Sequence, residues 1–204
     1  AELEVNRRTA PGLYERVAAV TRAPGGELAL DGEGEVCDWL VVMRRFDGDG
    51  LFDRLAERGA LDDELVEDLA REIAEFHEKA EPRPDFGGVA SMVETMAENA
   101  ERLGHHGAAV FDEEKVARLD ALCARQLETI SPLLESRREA GFVRRCHGDL
   151  HLRNICMFEG HPTLFDAIEF SESFACIDIL YDLSFLLMDL VHRGMVSRAN
   201  LLLN

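Results

Sequence analysis

Two short apolar runs, Ile155 to Phe158 and Thr163 to Phe165, flank the pair Glu159-Gly160. No other stretch constrains the fold as tightly. A Gly-containing pair between apolar runs predicts a β-hairpin, because a two-residue turn needs positive φ, which Gly adopts freely. With Glu159-Gly160 at the tip, Phe158 faces His161 and Asn154 faces Phe165. Asn154 and Asp166 then sit side by side at the open end. An amide oxygen and a carboxylate brought together are ligands that a hard divalent cation takes.

Just before this hairpin runs Arg145-Cys146-His147-Gly148-Asp149-Leu150-His151-Leu152-Arg153-Asn154. Its core is a His, an Asp two residues later and an Asn five residues after that Asp. This is the spacing of the catalytic loop of phosphoryl-transfer enzymes, in which the Asp handles the acceptor hydroxyl and the Asn holds magnesium. A downstream acid would supply the second metal ligand, and Asp166 and Glu169 both stand at workable distances. The bland alternative for the run is a polar turn; the neighbouring hairpin and second acid argue against it.

The bulk composition narrows the partners. Of 204 residues, 47% are hydrophobic, enough for a real core. Acids outnumber Lys and Arg 40 to 22, for a net charge of −18. Phosphate backbones need basic patches, so nucleic acid is not an expected partner. An acidic surface would instead favour a cationic substrate, unless it serves solubility alone. No run approaches the roughly 18 apolar residues of a membrane span, and no signal peptide opens the chain. The cysteines Cys37, Cys123, Cys146, Cys156 and Cys176 are odd in number and never spaced as Cys-x-x-Cys. That pattern predicts reduced, small buried thiols, not disulfides or zinc, and a cytoplasmic location.

The remaining elements follow from periodicity. A helix opens the chain and stops at Pro11-Gly12. Strands follow over Leu13 to Thr21, Glu27 to Leu30 and a buried Asp38 to Met43. Beyond Asp47-Gly48-Asp49-Gly50 the pattern becomes helical. Asp62 or Asp63 caps a helix with the stripe Leu65, Val66, Leu69, Ile73 and Phe76, which Pro82 and Pro84 stop. A second helix carries Val89, Met92, Val93, Met96 and Leu103. A third begins near Asp112 with a core stripe of Val116, Leu119, Leu122, Cys123 and Leu127, is kinked or restarted at Pro132, and ends at Gly141. A strongly apolar helix is expected over Ile177 to Val191, with Asp178 and Asp182 one turn apart. Both ends read as cut, the last leucines as exposed and the chain as a piece of a longer protein.

At these residues the chain resembles the aminoglycoside phosphotransferase and choline kinase-like family, in the bacterial branch often fused to a C-terminal P-loop ATPase-type domain. The matching pieces are His147-Gly148-Asp149-Leu150-His151 through Asn154, Leu164-Phe165-Asp166 to Phe170, and Cys176-Ile177-Asp178 through Tyr181-Asp182-Leu183. Asn6-Arg7-Arg8 with Pro11, and Val41-Val42-Met43-Arg44-Arg45-Phe46, add support. The resemblance implies an α+β, protein kinase-like two-lobed fold. Residues 1–46 would be a partial N-lobe and residues 47–204 a helical C-lobe. It implies ATP and Mg2+ as cofactors, a small hydroxyl-bearing acceptor, and a fused P-loop domain as an expected partner. It makes Asp149 the catalytic base, His147 a brace, and Asn154 a magnesium ligand. Val42, Met43 and Arg44 would be the hinge that meets adenine through backbone groups. Asp182 would be a structural acid under the loop.

Two departures stand out. The family's glycine-rich phosphate loop and N-lobe lysine precede the opening helix and are not in this sequence; Lys79 and Lys115 lie too late to replace that lysine, whose partner would be Glu2 or Glu4. The family's metal acid sits in a setting like Ile-Asp-Phe. The hairpin register favours Asp166, whereas Ile168-Glu169-Phe170 favours Glu169. Asp166 is the first choice, with Glu169 as co-ligand or replacement. Two rival functions remain: a non-catalytic kinase-like binding module, and a metal-dependent hydrolase in which His147, Asp149 and His151 alternate along a strand. His77, His105, His106, His161 and His192 have no partner legible in the sequence.

Overall fold

A computed structural model describes residues 1–107 and 110–204, the side chain of His106 aside. The chain forms two compact units. One comprises Ala1–Lys79, His147–Ser171 and Asp182–Asn204; the other comprises Ala80–Cys146 and Glu172–Tyr181.

The first unit opens with helix α1 (Glu2–Asn6) and a three-stranded antiparallel sheet of order β2-β1-β3. Its strands are β1 (Tyr14–Arg22), β2 (Leu28–Leu30) and β3 (Glu35–Met43). The expectation of a buried third strand fails. Trp39 is 62% exposed, and Val36 and Leu40 are also exposed. A β-branched, apolar run dictates a pleated strand, but what covers that strand depends on distant chain. Ala18 and Thr21 of β1 are buried, but the apolar cluster lies at the other end of the sheet. There Ala10, Leu13, Tyr14 and Cys156 form a small cluster with Val41, Met43 and Phe165 against it.

After the short α2 (Phe52–Glu57), Asp62 caps α3 (Asp63–Lys79) by accepting the Leu65 N–H at 2.9 Å. The apolar stripe of α3 is buried as its spacing requires. Val66, Leu69, Ile73 and Phe76 join Phe52, Leu150, Leu152, Ile155 and Leu164 in one core. Leu186, Leu190 and Leu202 complete it, so the last leucines are not all exposed: only Leu203 is, because the terminal helix packs Leu202 inward.

The second unit is built on α4 (Gly88–Arg102) and α5 (Glu113–Glu139), the latter capped by Asp112 through the Lys115 N–H at 3.0 Å. A π-helical turn, Leu103–Gly107, extends α4. Glu135 on α5 reaches back to accept the Val89 N–H at 2.8 Å and so caps α4 from outside. Here a second expectation fails: α5 buries no residue, and Leu119, Leu122, Ile130 and Leu133 are exposed. Amphipathic spacing marks the face a helix can bury, but α4 covers little of that face. Pro132 neither breaks nor restarts α5, which runs through it.

Strand β4 (Val143–Arg145) follows α5. Next come the hairpin strands β5 (Ile155–Phe158) and β6 (His161–Leu164), of the first unit, and α6 (Glu172–Ala175). Strand β7 (Cys176–Asp178) pairs with β4, and α7 (Ile179–His192) and α8 (Val196–Leu203) close the chain. The last long helix therefore starts two residues later than its apolar run, because Ile177 and Asp178 are spent on the β4 ladder. Asp178 is paired there with Arg137 at 2.7 and 2.8 Å. The α+β class and small antiparallel sheets are as the sequence predicts. Among the described residues no helix is long and apolar enough to cross a membrane.

Candidate active site

The hairpin has the register that its sequence dictates. Phe158 faces His161 and Ile155 faces Leu164. Both turn residues have positive φ, +51° at Glu159 and +87° at Gly160, as the tight two-residue turn requires. The Phe165 N–H donates to the Asn154 carbonyl at 3.0 Å, carrying the pairing one step past the strands. Asn154 and Asp166 are thus brought to the open end together.

The loop before the hairpin rests on α7. Asp182 is fully buried and accepts the N–H of Gly148 at 2.8 Å and that of His147 at 3.3 Å. Its carboxylate also lies 2.8 Å from His77 Nε2 on α3, likewise buried. A carboxylate out of water needs such partners, or it would not stay charged. Gly148 has φ of +84°, which lets the loop turn over that carboxylate. About two turns further along α7, Asp189 accepts the Leu152 N–H at 3.1 Å. The helix therefore supports the loop at both ends.

His147 is fully buried. Its Nε2 lies 2.9 Å from the Phe165 carbonyl, which can only accept, so Nε2 carries the proton. Its Nδ1 then accepts the Asp149 N–H at 3.4 Å. Burial holds the imidazole pKa below its usual value, against the opposing pull of the Asp182 charge. Both ring nitrogens of a neutral histidine are committed, which suits a brace.

Asp149 is half exposed and faces two side chains. Asn154 Nδ2 donates to the Asp149 carboxylate at 3.1 Å and to the Asp149 backbone carbonyl at 3.0 Å, and His151 Nε2 lies 3.4 Å from that carboxylate. With Nδ2 so engaged, Oδ1 is the Asn154 side-chain atom that could hold a metal. Asp166 has φ of +63° and an exposed side chain, and Glu169 is half-buried. Among the described residues no cation pairs with either. Glu2 on α1 shares their surroundings: burial first, then the charges of Glu169 and Asp166, push its carboxyl above the usual range. The donor set Asn154 Oδ1, Asp166 and Glu169 is all oxygen, the chemistry that fits Mg2+.

Val42, Met43 and Arg44 end β3. Val42 faces Arg16 and Met43 faces Tyr14 across a bulge. The Arg44 N–H donates to the Leu13 carbonyl at 2.9 Å, so it is not a free donor for an adenine. Its guanidinium reaches Glu159 at 2.6 Å and lies over the Phe158 ring, tying this segment to the hairpin tip.

The strand that a hydrolase reading needs is not formed. Residues His147 to His151 are irregular, and the His147 ring turns to Phe165 instead of sharing a face with Asp149 and His151. Sequence reasoning missed His77, Asp189, Tyr14 and Asn6. The last two bond the Asp166 and Ala167 N–H groups. A polar residue among apolar neighbours was the one available signal, and it does not name a partner. His161 and His192 are exposed, while the side chain of His106 lies outside the described residues.

Residues 12–200 match the phosphotransferase enzyme family. The chain is also similar to uncharacterized proteins of Mycobacterium tuberculosis and Mycobacterium bovis, at 26% identity over 196 residues. That alignment covers 95% of this chain and 38% of each relative. No solved structure matches the chain significantly.

Proposed function

This chain belongs to the phosphotransferase enzyme family, which has a kinase-like fold, and from that premise we propose that it is a small-molecule kinase. The reaction moves the γ-phosphoryl group of ATP to a hydroxyl of a small acceptor. The observation that carries this reading is Asp149: half exposed, held by Asn154, and set on a loop whose backbone is fixed by a buried carboxylate. Such a carboxylate orients an acceptor hydroxyl and takes its proton as the oxygen attacks. His147 holds the Asp149 backbone and the Phe165 carbonyl in one arrangement, and so keeps the base and the metal acid in register. Mg2+ held by Asn154 and Asp166, with Glu169 beside them, would neutralise charge on the transferred phosphates. The segment Val42 to Arg44 would lie along the adenine. The excess of acids favours a cationic acceptor.

The test is phosphotransfer from ATP to a panel of hydroxyl-bearing metabolites, by the wild type and by Asp149→Asn. We expect the variant to lose about 10²- to 10⁴-fold in turnover, the range for a general base, with nucleotide affinity nearly unchanged. Near-normal turnover would remove Asp149 from the mechanism. Nucleotide binding without transfer to any acceptor would make the chain a non-catalytic binding module.

A further inference from the structure

Four consecutive residues of the metal-acid segment are held by neither helix nor sheet. The Phe165 carbonyl accepts from His147 Nε2 at 2.9 Å, and the Ile168 N–H donates to the His147 carbonyl at 2.9 Å. Between them, the Asp166 N–H donates to the Tyr14 hydroxyl at 3.1 Å and the Ala167 N–H to Asn6 Oδ1 at 2.8 Å. Tyr14 comes from β1 and Asn6 from α1, and both are buried. Asn6 is itself fixed, since its Nδ2 donates to the Glu2 carbonyl at 3.1 Å.

A phenol and an amide in apolar surroundings cost free energy unless their polar atoms are used. Phe or Leu would fill the same space without that cost. Here the polar atoms are aimed at two adjacent backbone N–H groups, at the place where the chain takes a left-handed turn at Asp166. For a residue other than Gly that conformation is unfavourable, although Asp tolerates it better than most. The backbone is pinned while the Asp166 carboxylate stays exposed and unpaired, which is what a preorganised metal ligand requires. The pinning stops before Glu169: among the described residues no hydrogen bond is made to its backbone.

We infer that Asn6 and Tyr14 are positioning residues for Asp166, holding its backbone so that its carboxylate, and not that of Glu169, is the preformed metal ligand. The inference rests on the reading of Asp166 as a metal ligand and extends it to two residues outside the hairpin. Its consequence is that the opening helix and first strand set the affinity of the metal site.

The experiment is a Mn2+ titration followed by electron paramagnetic resonance, with ATP present, alongside thermal melts of each protein. The variants are Asp166→Ala, Tyr14→Phe and Asn6→Ala, with Thr163→Val as a control that removes another buried hydroxyl from the hairpin. We expect Asp166→Ala to abolish tight Mn2+ binding. Tyr14→Phe and Asn6→Ala should each weaken it by about threefold to tenfold while still folded, the range of one hydrogen bond. Thr163→Val should bind as the wild type does. Should Asn6→Ala not fold, Tyr14→Phe decides. Wild-type affinity in Tyr14→Phe, with binding lost in Asp166→Ala, overturns the inference and leaves the metal site standing. Equal weakening in Thr163→Val overturns it by making the effect one of general stability. Unchanged binding in Asp166→Ala removes the metal reading itself.

Discussion

The segment Phe165–Ile168 and helix α5 spend their polar and apolar groups in opposite ways. Four residues without regular structure are fixed by Asn6, Tyr14 and His147, all buried, and Phe165 among them packs against the small cluster of Ala10, Leu13, Tyr14 and Cys156. Twenty-seven residues of regular helix bury no side chain and leave four large aliphatic residues exposed. Regularity of the backbone is therefore no guide to burial in this molecule. A site that must place a carboxylate to within a fraction of an ångström needs buried partners for its backbone. A helix held at a few points, such as the Glu135 cap on α4, can adjust at little cost.

Truncations on the two sides of the comparison give the largest expected difference. Leu164 lies beside the Phe165–Ile168 segment and is 0% exposed, whereas Leu133 on α5 is 58% exposed. Leu164→Ala should cost about 2–5 kcal/mol, lost transfer energy plus a cavity. Leu133→Ala should change stability by about 0.5 kcal/mol or less. Urea unfolding of both variants measures this. A large loss from Leu133→Ala would mean that α5 is covered in the protein as it works, and the contrast would collapse.

The same contrast explains what the sequence could and could not reveal. The hairpin was legible because its information is local: Glu159-Gly160 fixes the turn, the turn fixes the register, and the register brings Asn154 to Asp166. The capping roles of Asp62 and Asp112 were legible for the same reason. The stripe on α3 was read correctly as core, and the similar stripe on α5 was not. Periodicity reports which face of a helix is apolar, whereas burial depends on what the rest of the chain brings to that face. Trp39 and Leu40 misled in the same way. The supports of the site were the least legible. His77 to Asp182 spans 105 residues, Tyr14 to Asp166 spans 152, and Asn6 to Ala167 spans 161. No pattern within a window can pair such residues. The resemblance implied a structural role for Asp182, but not the histidine that shares its carboxylate.

Acid should loosen the two regions at different pH. His147 is buried with its pKa lowered, chiefly by desolvation, and regains an ordinary value near 6.5 on unfolding. Its contribution to stability is fully present above about pH 6.5 and is lost as the pH falls through its lowered folded value. On α5, Glu135 has its carboxyl lowered, first by the Val89 N–H and then by Arg138. Its contribution is present above the ordinary value of 4.5 and is lost only below it. The loop under the active site should therefore weaken first as the pH drops from 7 toward 5. Urea midpoints for the wild type and His147→Gln across this range test the assignment. The variant should be less stable at pH 7 and show a flatter decline, by up to about 1.4 kcal/mol per pH unit for one proton. Identical slopes would mean that His147 is not held neutral.

The smallest effect compares two helix caps of the same design. Asp62 accepts the Leu65 N–H at 2.9 Å, and Asp112 accepts the Lys115 N–H at 3.0 Å. By local geometry each cap contributes equally, about 1 kcal/mol. The helices behind them differ. Fraying the first turn of α3 pulls on Val66 and Leu69, which are core residues, so the loss is felt by the whole unit. Fraying the first turn of α5 exposes nothing that was buried, so the loss stays local. Asp62→Ala should therefore lower the melting temperature by about 2–4 °C, the shift expected per kcal/mol at this chain length. Asp112→Ala should leave that temperature nearly unchanged and instead speed amide exchange over residues 113–117. Calorimetry with hydrogen-exchange mass spectrometry reads both quantities on the same samples. Equal shifts in melting temperature would show that α5 unfolds together with the core despite its exposure, and that the two regions form one cooperative body.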